Sequence, residues 1–154
     1  MTRHIRDLTT SENLLVVSSR FWFKAHMFKC NTPLILLRDV FKSANLSNSI
    51  RDFHSLIMAI AHMTKTKSIP TYQSPVTGNA EELLIKVVKL AQRGGEEDLD
   101  KIFSEFFFEG DSKHFINAAT NLAEDFFCND LVIMDKRTND IFYQENKKQA
   151  YVIN

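Results

Sequence analysis

Residues 14–28, LLVVSSRFWFKAHMF, decide the fold more than any other stretch of this sequence. At about 100° per residue in a helix, Leu14, Phe21 and Phe28 share one apolar stripe, and a second apolar stripe lies nearly opposite. The second stripe consists of Val16, Phe23 and Met27. Because one neighbouring helix covers only one side, the sequence predicts that this first helix, over about 11–29, is central in a bundle or shared between two chains.

The two stripes have different predicted roles. The first, extended by Val17 and Ala25, is predicted to face the core. The second is either further core or part of an interface with another chain. Two other apolar side chains raise the same question, one on the outer side of the fourth predicted helix and one near the end of the fifth. The candidate interface residues are therefore Val16, Phe23, Met27, Ile85 and Phe108.

The rest of the chain continues the helical pattern. Apolar periodicity and end signals predict six helices, over about 11–29, 33–44, 48–63, 80–93, 96–109 and 112–128. The start signals include Ser47, and Asn79 followed three residues later by Glu82. Residues 131–143 are apolar on both sides of a polar turn and predict a short β-hairpin or β-like tail. The predicted fold class is predominantly all-α, a single-domain bundle over 1–154.

The amino-acid composition limits the class of protein. The chain has 154 residues, the size of one domain, and 19 basic residues balance 19 acidic ones, so we do not expect nucleic acid as a partner. No apolar run approaches the roughly 18 residues of a membrane-spanning helix. With only two cysteines and no signal-peptide pattern at the start, we expect a cytoplasmic protein without disulfides.

Phenylalanine dominates the aromatic residues, with 13 Phe against 3 Tyr and 1 Trp. Phe brings bulk without a polar group, and burying one fully stabilises a fold by roughly 1.5–3 kcal/mol. The sequence therefore predicts a core built largely of phenyl rings. The rings assigned to it by their helical positions are Phe21, Phe28, Phe53, Phe103, Phe106, Phe115 and Phe126.

No motif for catalysis, for a metal or for a cofactor is present, and we predict that the chain is not an enzyme. His26 and Cys30 are four residues apart on one helical face, but two ligands make an incomplete metal site. As a nucleophile, Cys30 is predicted to stand at the C-terminal end of the first helix, where the helix dipole opposes a thiolate. The alternative without a metal is that Cys30 is a small structural thiol and His26 a partly solvated imidazole.

Two further features of the sequence bear on function, a helix-turn-helix outline and a long connection. The second and third predicted helices have the outline of a helix-turn-helix, but Phe41 stands where that motif favours a small residue. The exposed side of the third helix would offer Asn48, Ser49, Arg51 and Asp52, a poor set for binding phosphate. Residues 64–78 form a long connection that holds two prolines, and long ordered loops are often functional.

The surplus apolar surface favours a non-enzymatic interaction or regulatory module that forms a homodimer or binds another protein. One alternative is a DNA-binding regulator that uses the helices over 33–44 and 48–63. Another is a small-ligand or metal-binding protein with a pocket near Trp22, His26 and Cys30.

Overall fold

A computed structural model of the chain describes residues 2–64, 74–107 and 110–133. Within these ranges the chain forms six α-helices, together with two single turns of 3-10 helix at Ile5–Asp7 and Ser47–Ser49. The α-helices are α1 (Thr10–Phe28), α2 (Thr32–Ser43), α3 (Ile50–Thr64), α4 (Asn79–Gln92), α5 (Glu96–Phe106) and α6 (Lys113–Cys128).

The predicted fold class is confirmed, because the described residues form a small all-α bundle with six helices and no strand. Each helix begins and ends within three residues of its predicted bounds. Most of the predicted hairpin over 131–143, most of the connection over 64–78, and Phe108 lie outside the described residues.

The first helix is fixed at both ends by local interactions. Thr9 is its N-cap: the Thr9 hydroxyl accepts a hydrogen bond from the backbone N–H of Glu12, and the Glu12 carboxylate accepts one from the backbone N–H of Thr9. This reciprocal pair satisfies two of the N–H groups that a helix start leaves without a partner. At the other end Lys29 adopts the left-handed conformation with φ 48°, which stops the helix.

The cap of α4 differs from the predicted one. We expected Asn79 and Glu82 to form it, but the N-cap is Gly78, whose backbone N–H donates to the carboxylate of Glu81 at 3.0 Å. Glu82 instead forms an ion pair with Arg3 at 2.8 Å. The predicted pattern was therefore wrong by one residue, because a distant arginine engages the carboxylate assigned to the cap.

The buried apolar residues form one cluster at the centre of the bundle. The helices in contact include α1 with α2 and α4, α3 with α4 and α6, and α4 with α6. The fully buried large side chains are Phe41, Phe53, Phe126, Leu15, Leu46, Leu56, Ile57, Ile60, Leu84, Leu99, Leu122 and Glu81.

The phenylalanine prediction is confirmed in part. Four of the predicted core rings are buried, namely Phe21, Phe53, Phe115 and Phe126. Phe103 is partly buried against the same cluster. For Phe28 and Phe106 the prediction was wrong, because 68% and 45% of these residues is exposed. Each is the last residue of its helix, a position that periodicity alone does not distinguish from the helix interior.

A buried ion pair joins α1 to α4. The Arg20 guanidinium donates through Nε to Glu81 Oε2 at 2.8 Å and through Nη2 to Glu81 Oε1 at 3.1 Å. Nη1 and Nη2 also donate to the backbone carbonyls of Ser74 and Val76, respectively. The same segment pairs with the N-terminal residues through an isolated β-bridge between His4 and Val76. Arg20 therefore holds the entry to α4 against the middle of α1.

Candidate functional site

The predicted interface residues divide into buried and exposed side chains. Val16, Phe23 and Ile85 are buried within the chain, with 1%, 4% and 4% of each residue exposed. The expectation that they contribute surplus apolar surface is therefore wrong: they are part of the chain's own core. Of the four predicted residues that the structure describes, only Met27 is exposed, at 60%. Phe108 lies outside the described residues.

Both stripes of α1 contribute to the core, and each ends in an exposed residue. In the second stripe Val16 and Phe23 are buried and Met27 is exposed, whereas the stripe assigned to the core holds the buried Phe21, the partly buried Leu14 and the exposed Phe28. The physical reason is the position of α2, which lies beside the Leu14 stripe and covers it incompletely. Part of the uncovered apolar surface of α1 thus lies at Leu14 and Phe28, on the stripe that was assigned to the core.

Between α1 and α2 this surface forms a continuous apolar groove. Two adjoining cavities of about 450 and 420 Å³ open along it, and both are lined by Phe21 and Leu36. We call it the α1–α2 groove and define it by the side chains Leu14, Phe21, Phe28, Leu36 and Val40. Leu36 is 43% exposed, which is high for a leucine beside the core.

The two ends of the groove carry opposite charges. Asp39 lines the cavity at the Leu14 end, and Lys24 lines the cavity at the Phe28 end. Both residues are exposed at the surface. The groove is therefore apolar along its floor and polarised along its length, which favours a partner with the reverse order of charges.

Cys30 lies at the Phe28 end of the groove, in an environment that the sequence did not reveal. Thr32, the first residue of α2, donates from its backbone N–H and from its hydroxyl to the thiol, and these two bonds lower the pKa of Cys30. The positive charge of Lys24 lowers the pKa further. The prediction that the end of α1 opposes the thiolate was incomplete, because Cys30 also stands just before the N-terminus of α2.

A second polar feature links α1 to α3. The indole Nε1 of Trp22 donates to Nδ1 of His54 at 2.8 Å, and the His26 ring stacks on the indole with centroids 3.8 Å apart. The centroids of His26 and His54 are 5.7 Å apart. From sequence spacing, His26 was paired with Cys30 as a possible metal ligand. In the structure, the ring of His26 instead lies near the ring of His54, on α3. Spacing within a helix holds no information about such a pair.

The metal-binding and helix-turn-helix alternatives gain no support from this arrangement. Across the described residues, no group of three or more His, Cys, Asp or Glu side chains is placed to hold a metal ion. On the helix-turn-helix alternative, Ser49 was expected on the exposed side of the third helix, but it is buried and donates its hydroxyl to Asp125 of α6. The start of α3 is therefore packed against α6 at that residue.

Comparison with family models, curated proteins and solved structures found no significant match to this chain. Among the residues that the structure describes, no helix combines the length and the apolar composition that crossing a membrane requires.

Proposed function

We propose that the chain is a non-enzymatic interaction module that forms a homodimer by docking the α1–α2 groove of one copy against that of a second. The observation that carries the proposal is the groove itself, an open apolar surface with Phe28 68% exposed at one end. An exposed ring beside an unfilled apolar groove is typical of a protein interface. From Leu14 to Phe28 the groove follows α1 for about 21 Å at the rise of an α-helix.

The charges at the two ends favour a second copy as the occupant. Phe21 and Leu36 lie at the middle of the groove, where its two cavities meet. A two-fold axis through this point and perpendicular to the length of the groove sets the Leu14 end of one copy against the Phe28 end of the other. Asp39 of each copy then faces Lys24 of its partner, so both charge pairs are attractive. A self-complementary surface of this kind suits a symmetric dimer.

The apolar contribution is larger than that of the charges. Covering Phe28 removes most of a phenyl ring from water, which is worth roughly 1–2 kcal/mol in each copy. Each exposed ion pair contributes roughly 0.2–1 kcal/mol. Association is therefore expected to depend chiefly on the ring, with the charges setting the register.

Sedimentation of the full chain with Phe28→Ser tests the proposal. The wild-type chain is expected to form dimers at micromolar concentration. Phe28→Ser, which removes two rings from each dimer, is expected to weaken association on the order of a hundredfold. Phe127→Ser is a matched control, because Phe127 is 60% exposed on α6, away from the groove.

Three results would contradict the proposal. A wild-type chain that remains monomeric at about 100 µM would mean that the groove does not bind a second copy, and a different protein would then be its occupant. Dimers that withstand Phe28→Ser, or that are weakened equally by Phe127→Ser, would place the interface elsewhere on the surface.

A further inference from the structure

The rings of Trp22, His26 and His54 bring together two helices, α1 and α3, that have few other direct contacts with each other. Trp22 and His26 belong to α1, which packs on α2 and α4, whereas His54 belongs to α3, which packs on α4 and α6. Trp22 is nearly closed to solvent, with 5% of the residue exposed, whereas His54 is exposed at the surface. A buried donor is therefore bonded to an acceptor that protons can reach.

The protonation states in this cluster follow from the donors. An indole N–H only donates, so Nδ1 of His54 must offer a lone pair and the neutral ring carries its proton on Nε2. Nδ1 of His26 lies 2.9 Å from the backbone carbonyl oxygen of Trp22, which only accepts, so this nitrogen carries a proton. A doubly protonated His54 has an N–H at both ring nitrogens, and it has no lone pair left for Trp22.

The charges around His54 also oppose its protonation. From α1 it is faced by His26. On α3, Arg51 stands three residues earlier, on the same side of the helix, whereas Asp52 is two residues earlier and points away. A proton on His54 therefore adds positive charge beside the imidazole of His26, whose ring centroid is 5.7 Å away.

We propose that Trp22, His26 and His54 form a proton-operated latch between α1 and α3, closed while His54 is neutral and released when His54 takes up a proton. Release removes the acceptor of the Trp22 indole and places a charged imidazole beside the ring of His26. Because α1 and α3 have few other direct contacts, losing this bond leaves the two helices joined mainly through α4, on which both pack.

The pH range of the latch follows from the pKa of His54. Partial burial lowers this pKa below the ordinary histidine value of about 6.5, and the neighbouring His26 lowers it further. The folded chain therefore binds fewer protons at His54 than the unfolded chain. The free energy of unfolding is expected to hold above about pH 6.5 and to fall as the pH drops through the lowered pKa.

Nuclear magnetic resonance on the full chain labelled with ¹⁵N tests the latch directly, because Trp22 is the only tryptophan and gives a single indole N–H signal. Between pH 7.5 and 4.5 this signal is expected to lose its hydrogen-bonded shift. The midpoint is expected to equal that of the His54 ring protons and to lie below pH 6.5. Amides of α1 near His26 are expected to shift at the same pH.

Variants distinguish protonation of His54 from the other effects of low pH on the chain. His54→Gln is expected to abolish the indole transition, and His26→Gln to move its midpoint to higher pH because a neighbouring charge is gone. His62→Gln, two turns further along α3, is the control and should leave the midpoint unchanged. The latch is overturned if the indole N–H shift of the wild-type chain stays constant while His54 titrates. It is also overturned if the transition coincides with global unfolding measured by circular dichroism. Both of these results come from the unaltered chain, so they hold even if a variant fails to fold.

Discussion

At the scale of single residues, the guanidinium of Arg20 is an unusual group to find inside a small bundle. Only 7% of Arg20 is exposed, and its partner Glu81 is 1% exposed. Burying two charges is costly, and the cost is offset here by two bonds within the pair and two to backbone carbonyls. The pair is therefore sensitive to the loss of either partner.

Neighbouring glutamates on α4 offer a direct comparison. Glu81→Ala leaves the Arg20 charge buried without its partner and is expected to lower the free energy of unfolding by roughly 3–5 kcal/mol. Glu82→Ala breaks the more exposed pair with Arg3 and is expected to cost about 1 kcal/mol. Urea denaturation of both variants measures the difference. Equal losses would show that burial of the Arg20 pair does not matter for stability.

Residue-scale features were the least predictable from sequence. The pattern of Asn79 and Glu82 resembles a helix cap, yet Gly78 and Glu81 fill these roles, because Arg3 from the other end of the chain engages Glu82. The donors that Thr32 offers to Cys30 depend on how tightly the chain turns between two helices. Such details follow from tertiary contacts, which local spacing does not contain.

At the scale of elements, helix periodicity predicted where each helix lies but not which side of α1 its neighbours cover. Both stripes of α1 are apolar, so the pattern itself is symmetric. The choice is made by α2 and by the Arg20 pair with α4, which fix the rotation of α1 about its axis. Val16, Phe21 and Phe23 are core residues, and the incompletely covered surface at Leu14 and Phe28 lines the α1–α2 groove.

Truncating one ring on each stripe of α1 tests this assignment. Phe23→Ala is expected to lower the free energy of unfolding by about 3–5 kcal/mol, because it leaves a cavity in the core. Phe28→Ala removes an exposed ring and is expected to change stability by about 0.5 kcal/mol or less. The comparison is made by denaturation at submicromolar concentration, where a dimer contributes little. A larger loss for Phe28→Ala would restore the stripe assignment drawn from sequence alone.

At the scale of the whole molecule, the equal numbers of basic and acidic residues conceal a polarised surface. The sequence has no net charge, yet Lys24 and Asp39 stand at opposite ends of one groove. Helix periodicity correctly predicted an all-α bundle, and the phenylalanine content predicted part of its core. The α1–α2 groove could not be predicted from the sequence, because Lys24 and Asp39 belong to different helices and their arrangement depends on how α2 packs on α1.

Charge reversal at the two ends of the groove tests the proposed dimer most directly. In the two-fold arrangement, Lys24→Glu faces Asp39 of its partner and Asp39→Lys faces Lys24, so each variant alone is expected to associate more weakly than the wild-type chain. In an equimolar mixture the two variants face each other with opposite charges at both ends.

The decisive measurement is sedimentation velocity of Lys24→Glu, of Asp39→Lys and of their mixture at low ionic strength, where exposed charges are least screened. We predict that each variant alone sediments mainly as a monomer and that the mixture restores the dimer. A mixture that sediments as the average of its two components would contradict the account, since the grooves of two copies would then not face each other.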